Sequence, residues 1–169
     1  MRNPLGYKVL RTCQQGEEIY SLAKDFTAKY LSSTADSRLI GHINDSARSV
    51  PRNIAEGYGR NNTKQYCEFL GFSFGSLLEL LEDFSELEKD IKTQKRKTKD
   101  DKGALKDLSR LIKLCMGEKT MLRTQMDQMG KMAGEQGLVN QNQKIAQELI
   151  ERRQKEQQFD DWLKKFISK

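Results

Sequence analysis

The residues best suited to chemistry in this chain are cations. Lys92, Lys95, Arg96, Lys97, Lys99, Lys102 and Lys106 crowd around Thr93, Gln94, Thr98 and the pair Asp100-Asp101, and no apolar residue occurs from 92 to 102. A segment with nothing to bury reads as a surface loop. Clustered cations neutralise phosphates and release their counterions, so binding through such a loop weakens as salt rises. Lys106, Arg110 and Lys113 recur at helical spacing beyond the loop and can extend its positive surface, with Lys119 and Arg123 further along. The chain as a whole carries 30 Lys and Arg against 24 Asp and Glu, net +6. That balance favours anionic partners, nucleic acid first. No aromatic residue interleaves the loop, so it suits the backbone of a structured RNA or a duplex better than it suits base stacking. A merely solvated loop has the same composition, and both readings remain open at this stage.

Catalytic chemistry finds less support. His42 is the only histidine and reads as an ordinary helix residue. The Glu-x-x-His pairs of a di-iron bundle, a phosphate-binding P-loop, a dinucleotide glycine pattern and the H-E-x-x-H zinc motif do not occur. Cys13, Cys67 and Cys115 are odd in number and far apart, with no C-x-x-C spacing. They read as free thiols in a reducing compartment rather than as disulfides or metal ligands. We expect no enzyme activity, no metal and no cofactor. No apolar run approaches the roughly 18 residues of a membrane span, and MRNPLGYKVL lacks a signal-peptide core. The expectation is a cytoplasmic protein without membrane contact.

The elements that must carry these residues are helices. The chain is 36% hydrophobic and 32% charged with two prolines, as a highly charged helical bundle would be. Asn3-Pro4 is a good helix start. A stripe of Leu5, Val9, Cys13, Ile19, Leu22, Ala23, Phe26 and Tyr30 predicts a first helix over roughly 4–31. Ser33 with Asp36 has capping-box spacing and opens a second over 36–57. Leu39, Ile40, Ile43, Ala47 and Val50 form its apolar stripe, and Ile54 and Ala55 continue it past Pro51, which predicts a kink rather than a stop. Glu56 and Arg60 stand at ion-pair spacing, and Gly57 and Gly59 read as a helix terminus. Asn62 opens a third helix over 63–92, whose wide apolar face includes Phe69, Phe72 and Phe74 and whose second half is acidic from Glu79 to Asp90. That face either packs within the chain or forms a subunit interface. The fourth helix, 101–132, carries a leucine and methionine stripe interrupted at Gly117. Gly130, Gly134 and Gly137 suggest a hinge. A further helix over 138–167 then ends on Phe159, Trp162, Leu163, Phe166 and Ile167, which must dock somewhere. The predicted fold is all-α: a four-helix bundle over 1–133, and a hinge with an additional C-terminal helix over 134–169.

Ser49-Val50-Pro51-Arg52-Asn53-Ile54-Ala55-Glu56-Gly57-Tyr58-Gly59-Arg60, followed by Phe69-Leu70, Gly75-Ser76-Leu77 and Glu79-Leu80, resembles the ribosomal-RNA intervening-sequence protein family over roughly residues 5–130. The resemblance implies an antiparallel up-and-down four-helix bundle, often a ring-shaped homopentamer, with a nucleic-acid-associated role and no active site. It also implies a relation to the accessory variability proteins of diversity-generating retroelements, which act beside a reverse transcriptase. Asn44 and Asp45 stand where members commonly carry two basic residues, while Arg48 and Arg52 stand where small residues are usual, so the basic surface near the proline is rearranged. The expected function is a non-catalytic oligomeric accessory protein that holds structured RNA or RNA–DNA for a partner such as a reverse transcriptase. In a ring the basic loops would repeat around one rim and add by multivalency. Arg48, Arg52, Arg60 and Lys64 form a second basic set behind the loop, and Phe69, Phe72, Phe74, Trp162 and Phe166 are the candidate interface. The competing expectation is a protein–protein scaffold, with the acidic third helix and the Trp162 tail as its contacts.

Overall fold

The computed structural model describes residues 5–32, 34–60 and 62–132, together with Gln154. A 3-10 turn, η1 (Gly6–Val9), precedes four helices: α1 (Arg11–Tyr30), α2 (Ser37–Gly59), α3 (Thr63–Lys92) and α4 (Asp101–Met132). Among the described residues there is no strand. α1 packs on α2, α2 on α3, α3 on α4 and α4 back on α1, which closes a ring of four. Thr12 near the start of α1 donates to Gln125 in the last turns of α4, while Tyr30 at the end of α1 donates to Asp107 in its first turns.

The predicted stripes become the core. Ile19 and Ala23 of α1, Ile43, Ala47, Val50 and Ile54 of α2, Leu70, Leu77, Leu80 and Phe84 of α3, and Leu108, Cys115 and Leu122 of α4 are fully buried. Each large apolar side chain so buried contributes about 1.5–3 kcal/mol. Phe26 packs edge-on to Phe84, with ring centres 6.2 Å apart. Cys13, Cys67 and Cys115 are all buried and unbridged.

Several local expectations are corrected. The first helix begins at Arg11, not near residue 4, because Leu10 is extended (φ −71°, ψ 127°) and Leu5 and Val9 are exposed rather than part of the stripe. Asn3 and Pro4 lie outside the described residues. At the α1–α2 turn it is Ser32 that works with Asp36: the carboxylate accepts the Ser32 N–H at 2.8 Å and the Ser32 hydroxyl accepts the Ala35 N–H at 3.4 Å. Ser33 lies outside the described residues. Asn62 caps α3 as expected, accepting the Lys64 N–H at 2.8 Å.

α2 runs unbroken through Pro51, which is buried. α1 passes close to it at Gly16, where a Cβ would come within 3.2 Å of Val50 Cγ1 and 3.3 Å of the Pro51 ring. Gly57 does not end α2 in a left-handed cap. The helix continues to Gly59 and leaves through an extended Arg60 (φ −74°, ψ 144°). A Cβ on Gly57 would lie 2.7 Å from Phe69 Cβ and 2.8 Å from Tyr66 Cδ2, so this glycine exists for contact with α3 rather than for a turn. Gly117 does not interrupt α4, and Gly130 is buried inside it rather than in a hinge. Of the α4 methionines Met126 is buried, whereas Met116 and Met132 are exposed. The expected hinge at Gly134 and Gly137 and the helix over 138–167, with Trp162 and Phe166, lie outside the described residues.

Candidate nucleic-acid interface

α3 ends where Gln94 takes a left-handed conformation (φ 57°). The N–H groups of Gln94 and Arg96 then donate to the Ile91 and Asp90 carbonyls, each at 3.1 Å. Both loop carboxylates turn to backbone work. Asp101 accepts the Thr98 N–H at 2.7 Å and the Thr98 hydroxyl at 2.8 Å, and Asp100 accepts the Gly103 N–H at 3.0 Å. The Thr98 bonds hold the Asp101 carboxyl below the usual carboxylate range.

The loop cations fall into two kinds. Arg96 is engaged within the fold. It is half-buried, and its guanidinium pairs with Asp36 across the α1–α2 turn. That bond, ahead of the Ser32 N–H, holds the Asp36 carboxyl below its usual range. Lys92 is bridged to Glu88 at 2.9 Å. Lys95, Lys97, Lys99 and Lys102 are exposed, and among the described residues none of them forms a salt bridge. Lys106, Arg110 and Lys113 line one shallow groove along α4, as their spacing implied. Arg110 also reaches Glu18 at 3.4 Å. With Lys102 a turn before Lys106, the result is a belt of cations from the loop along the exposed side of α4.

The second basic set is not part of that belt. Arg48 and Arg52 line a separate groove with Tyr7, Glu17 and Tyr20. Arg60 and Lys64 lie at the α2–α3 junction, and the 30 residues of α3, roughly 45 Å of helix, separate them from the loop. Arg60 pairs with Glu56 as expected, and its guanidinium also lies 4.8 Å from the centre of the Phe69 ring. Phe69 meets Phe72 edge-on at 5.6 Å, and Phe72 is 59% exposed. Phe74 is half-buried and packs against the core, apart from that pair.

Titratable side chains also pair between α2 and α3. His42 Nδ1 lies 2.7 Å from Asp83 on α3, which raises its pKa, with Glu79 and Asp45 adding to the effect. Glu79 accepts from Ser46 at 3.2 Å, so two acids of the α3 face bind α2. Gly71-Phe72-Ser73-Phe74-Gly75 has the G-x-S-x-G spacing of a nucleophile elbow, a match that motif reading passed over. It lies in mid-helix instead of at a strand-to-helix turn, and Ser73 is buried with its hydroxyl donating to the Val50 carbonyl at 2.9 Å. His42 stands eight residues before Val50 on α2, roughly 12 Å along the helix. Glu118 was also missed. It is fully buried on the stripe of Leu111, Cys115 and Leu122, neither carboxyl oxygen has a hydrogen-bond partner among the described residues, and burial pushes its pKa up to about 8. An acid at a stripe position was the available signal. Among the described residues no three His, Cys, Asp or Glu side chains converge as a metal site, and no helix is long and apolar enough to cross a membrane.

No curated protein matches this chain. Residues 9–117 match the family described as 23S rRNA-intervening sequence protein, a span that holds α1, α2, α3, the basic loop and the first half of α4. The match covers well over half of the sequence and includes the proline-centred stretch that packs α2 between α1 and α3. The chain therefore belongs to the 23S rRNA-intervening sequence protein family.

Proposed function

We propose that this chain is a non-catalytic RNA-binding accessory protein whose principal contact is the belt formed by Lys95, Lys97, Lys99, Lys102, Lys106, Arg110 and Lys113. One observation carries the reading: both acids within the loop accept hydrogen bonds from its own chain, while Lys95, Lys97, Lys99 and Lys102 are exposed and form no salt bridge among the described residues. Exposed cations outside salt bridges are open to phosphates. The family's description supports ribosomal RNA as the class of ligand. The finer parts of the reading are an antiparallel up-and-down order of the helices, a ring-shaped homopentamer, a cytoplasmic location and a role in holding structured RNA or RNA–DNA for a reverse transcriptase, as in a diversity-generating retroelement. The end pairings Thr12–Gln125 and Tyr30–Asp107 support the helix order. A ring would multiply a weak belt without any new contact.

The test is titration with a structured RNA at low and moderate salt. Neutralising Lys95, Lys97 and Lys99 to Gln removes up to three phosphate contacts and lowers the slope of log K against log salt by roughly 2–3 on a duplex. A folded triple variant that binds with the same affinity and slope would sink the proposal. The scaffold reading is favoured by one feature, the exposed Phe72 beside Phe69 and Arg60. It requires that deleting 138–169 abolish capture of a protein partner while RNA binding persists.

A further inference from the structure

The groove that holds Arg48 and Arg52 has a chemistry that the loop lacks. Along α2 the two arginines stand one turn apart, and both are exposed. Neither forms a salt bridge among the described residues. Two aromatic rings join them from elsewhere in the chain. Tyr20 comes from α1, half-buried, with the Lys24 ammonium 5.6 Å from its ring centre. Tyr7 comes from η1, which the extended Leu10 folds back so that the ring rests 6.3 Å from Tyr58 on α2. Glu17 completes the lining one turn before Tyr20.

We infer that this groove, between η1, α1 and α2, is a binding site for an unpaired nucleotide of RNA. The inference rests on the RNA-binding reading above and concerns a different surface. A nucleotide freed from pairing offers a flat base, a phosphate and hydrogen-bonding edges. Tyr20 and Tyr7 supply π faces for the base, Arg48 and Arg52 supply the phosphate contact, and Glu17 accepts from an exocyclic amino group or a ribose hydroxyl. A duplex hides its base faces, so it gains nothing from the tyrosines. The groove encloses about 360 Å³, which is the scale of one small ligand and far below that of a helix of nucleic acid. The same protein would then hold paired RNA at the lysine belt and an adjacent looped-out nucleotide at this groove.

The test compares a short unstructured adenine-rich RNA with a blunt RNA duplex, both on the full chain, with circular dichroism to confirm folding. Stacking on one aromatic ring makes Tyr20→Ala weaken single-strand binding by about 5- to 50-fold, while duplex binding changes by less than about twofold and the salt slope stays the same. Tyr20→Phe keeps the ring and should keep the affinity. Arg48→Gln with Arg52→Gln should weaken single-strand binding and lower its salt slope by about 1.4, because each phosphate contact on a single strand contributes about 0.7. If Tyr20→Ala fails to fold, this exposed arginine pair decides the matter by the same comparison of single strand with duplex. Equal losses on both RNAs, or no loss on either, would overturn the groove assignment and leave it as a surface for some other partner, a peptide among them. A wild type that binds neither RNA would instead overturn the functional reading itself.

Discussion

Glu118 shares a stripe of α4 with Leu111, Cys115 and Leu122, and it is as buried as they are, without a hydrogen-bond partner for either oxygen among the described residues. Burial raises its pKa to about 8 from an ordinary value of 4.5. Below about pH 4.5 the group is protonated in both folded and unfolded chains and has no effect on the pH dependence. Between these values the unfolded chain loses a proton that the folded chain keeps, so stability falls as pH rises and levels off above about 8. Glu118→Met should therefore stabilise the protein by a few kcal/mol at pH 8 and by much less at pH 5, measured by urea unfolding at the two values. His42 acts in the same direction. Its pKa is raised first by the Asp83 hydrogen bond, so that pair stabilises below the ordinary histidine range and is lost as pH climbs through the raised value. Gln94 is a different kind of residue-scale defect. Its left-handed backbone suits glycine, and Gln94→Gly should raise stability by up to about 1 kcal/mol, read as a shift of the denaturant midpoint at constant slope.

At the scale of elements, two contacts hold the bundle's ends in register. Gly57 lets α3 approach α2 beside Tyr66 and Phe69. Gly57→Ala forces those side chains apart and should cost about 1–3 kcal/mol, with the largest losses of amide protection in the last turns of α2 and first turns of α3. Arg96 and Asp36 join the two loops at the other end. Arg96→Ala leaves a half-buried carboxylate without its cation and should cost about 1–2 kcal/mol, and it should speed hydrogen exchange over 93–100. Gln replacements at Lys95, Lys97 or Lys99 should change stability by less than about 0.5 kcal/mol, because those side chains are exposed. Most helices were legible in the sequence, since periodic burial of Ile43, Ala47, Val50 and Ile54 leaves little choice of structure. The role of Gly57 was not, because glycine permits a turn and a close approach alike, and only the neighbouring helix decides between them. The pairing of Arg96 was hidden for a similar reason: its partner Asp36 lies 60 residues away.

Across the whole molecule, charge is arranged by position more than by amount. The α3 acids Glu79 and Asp83 contact α2, whereas exposed lysines gather at one loop and along α4. The belt was legible because it is contiguous in sequence, and Lys106, Arg110 and Lys113 needed only helical spacing to join it. The Arg48–Arg52 groove was half legible. Its arginines were visible as departures from the family pattern, but Tyr7 and Tyr20 reach them only through the fold.

The buried thiols give the closed ring of helices a property of its own. Burial, helped by Glu17 and Glu118, pushes the pKa of Cys13 up to about 11, and burial with Glu118 pushes that of Cys115 up to about 12. The thiolate is the nucleophile, so alkylating reagents at neutral pH should pass over both in the folded protein. Each sulfur becomes reactive only while its helix is open, and its labelling then keeps time for that opening. Cys13 stands in the first turn of α1, and Cys115 lies in the middle of α4 among fully buried neighbours. The unmodified chain thus carries two stopwatches. If the first runs ahead of the second, α1 leaves the bundle before the rest lets go; if they run together, the four helices part as one.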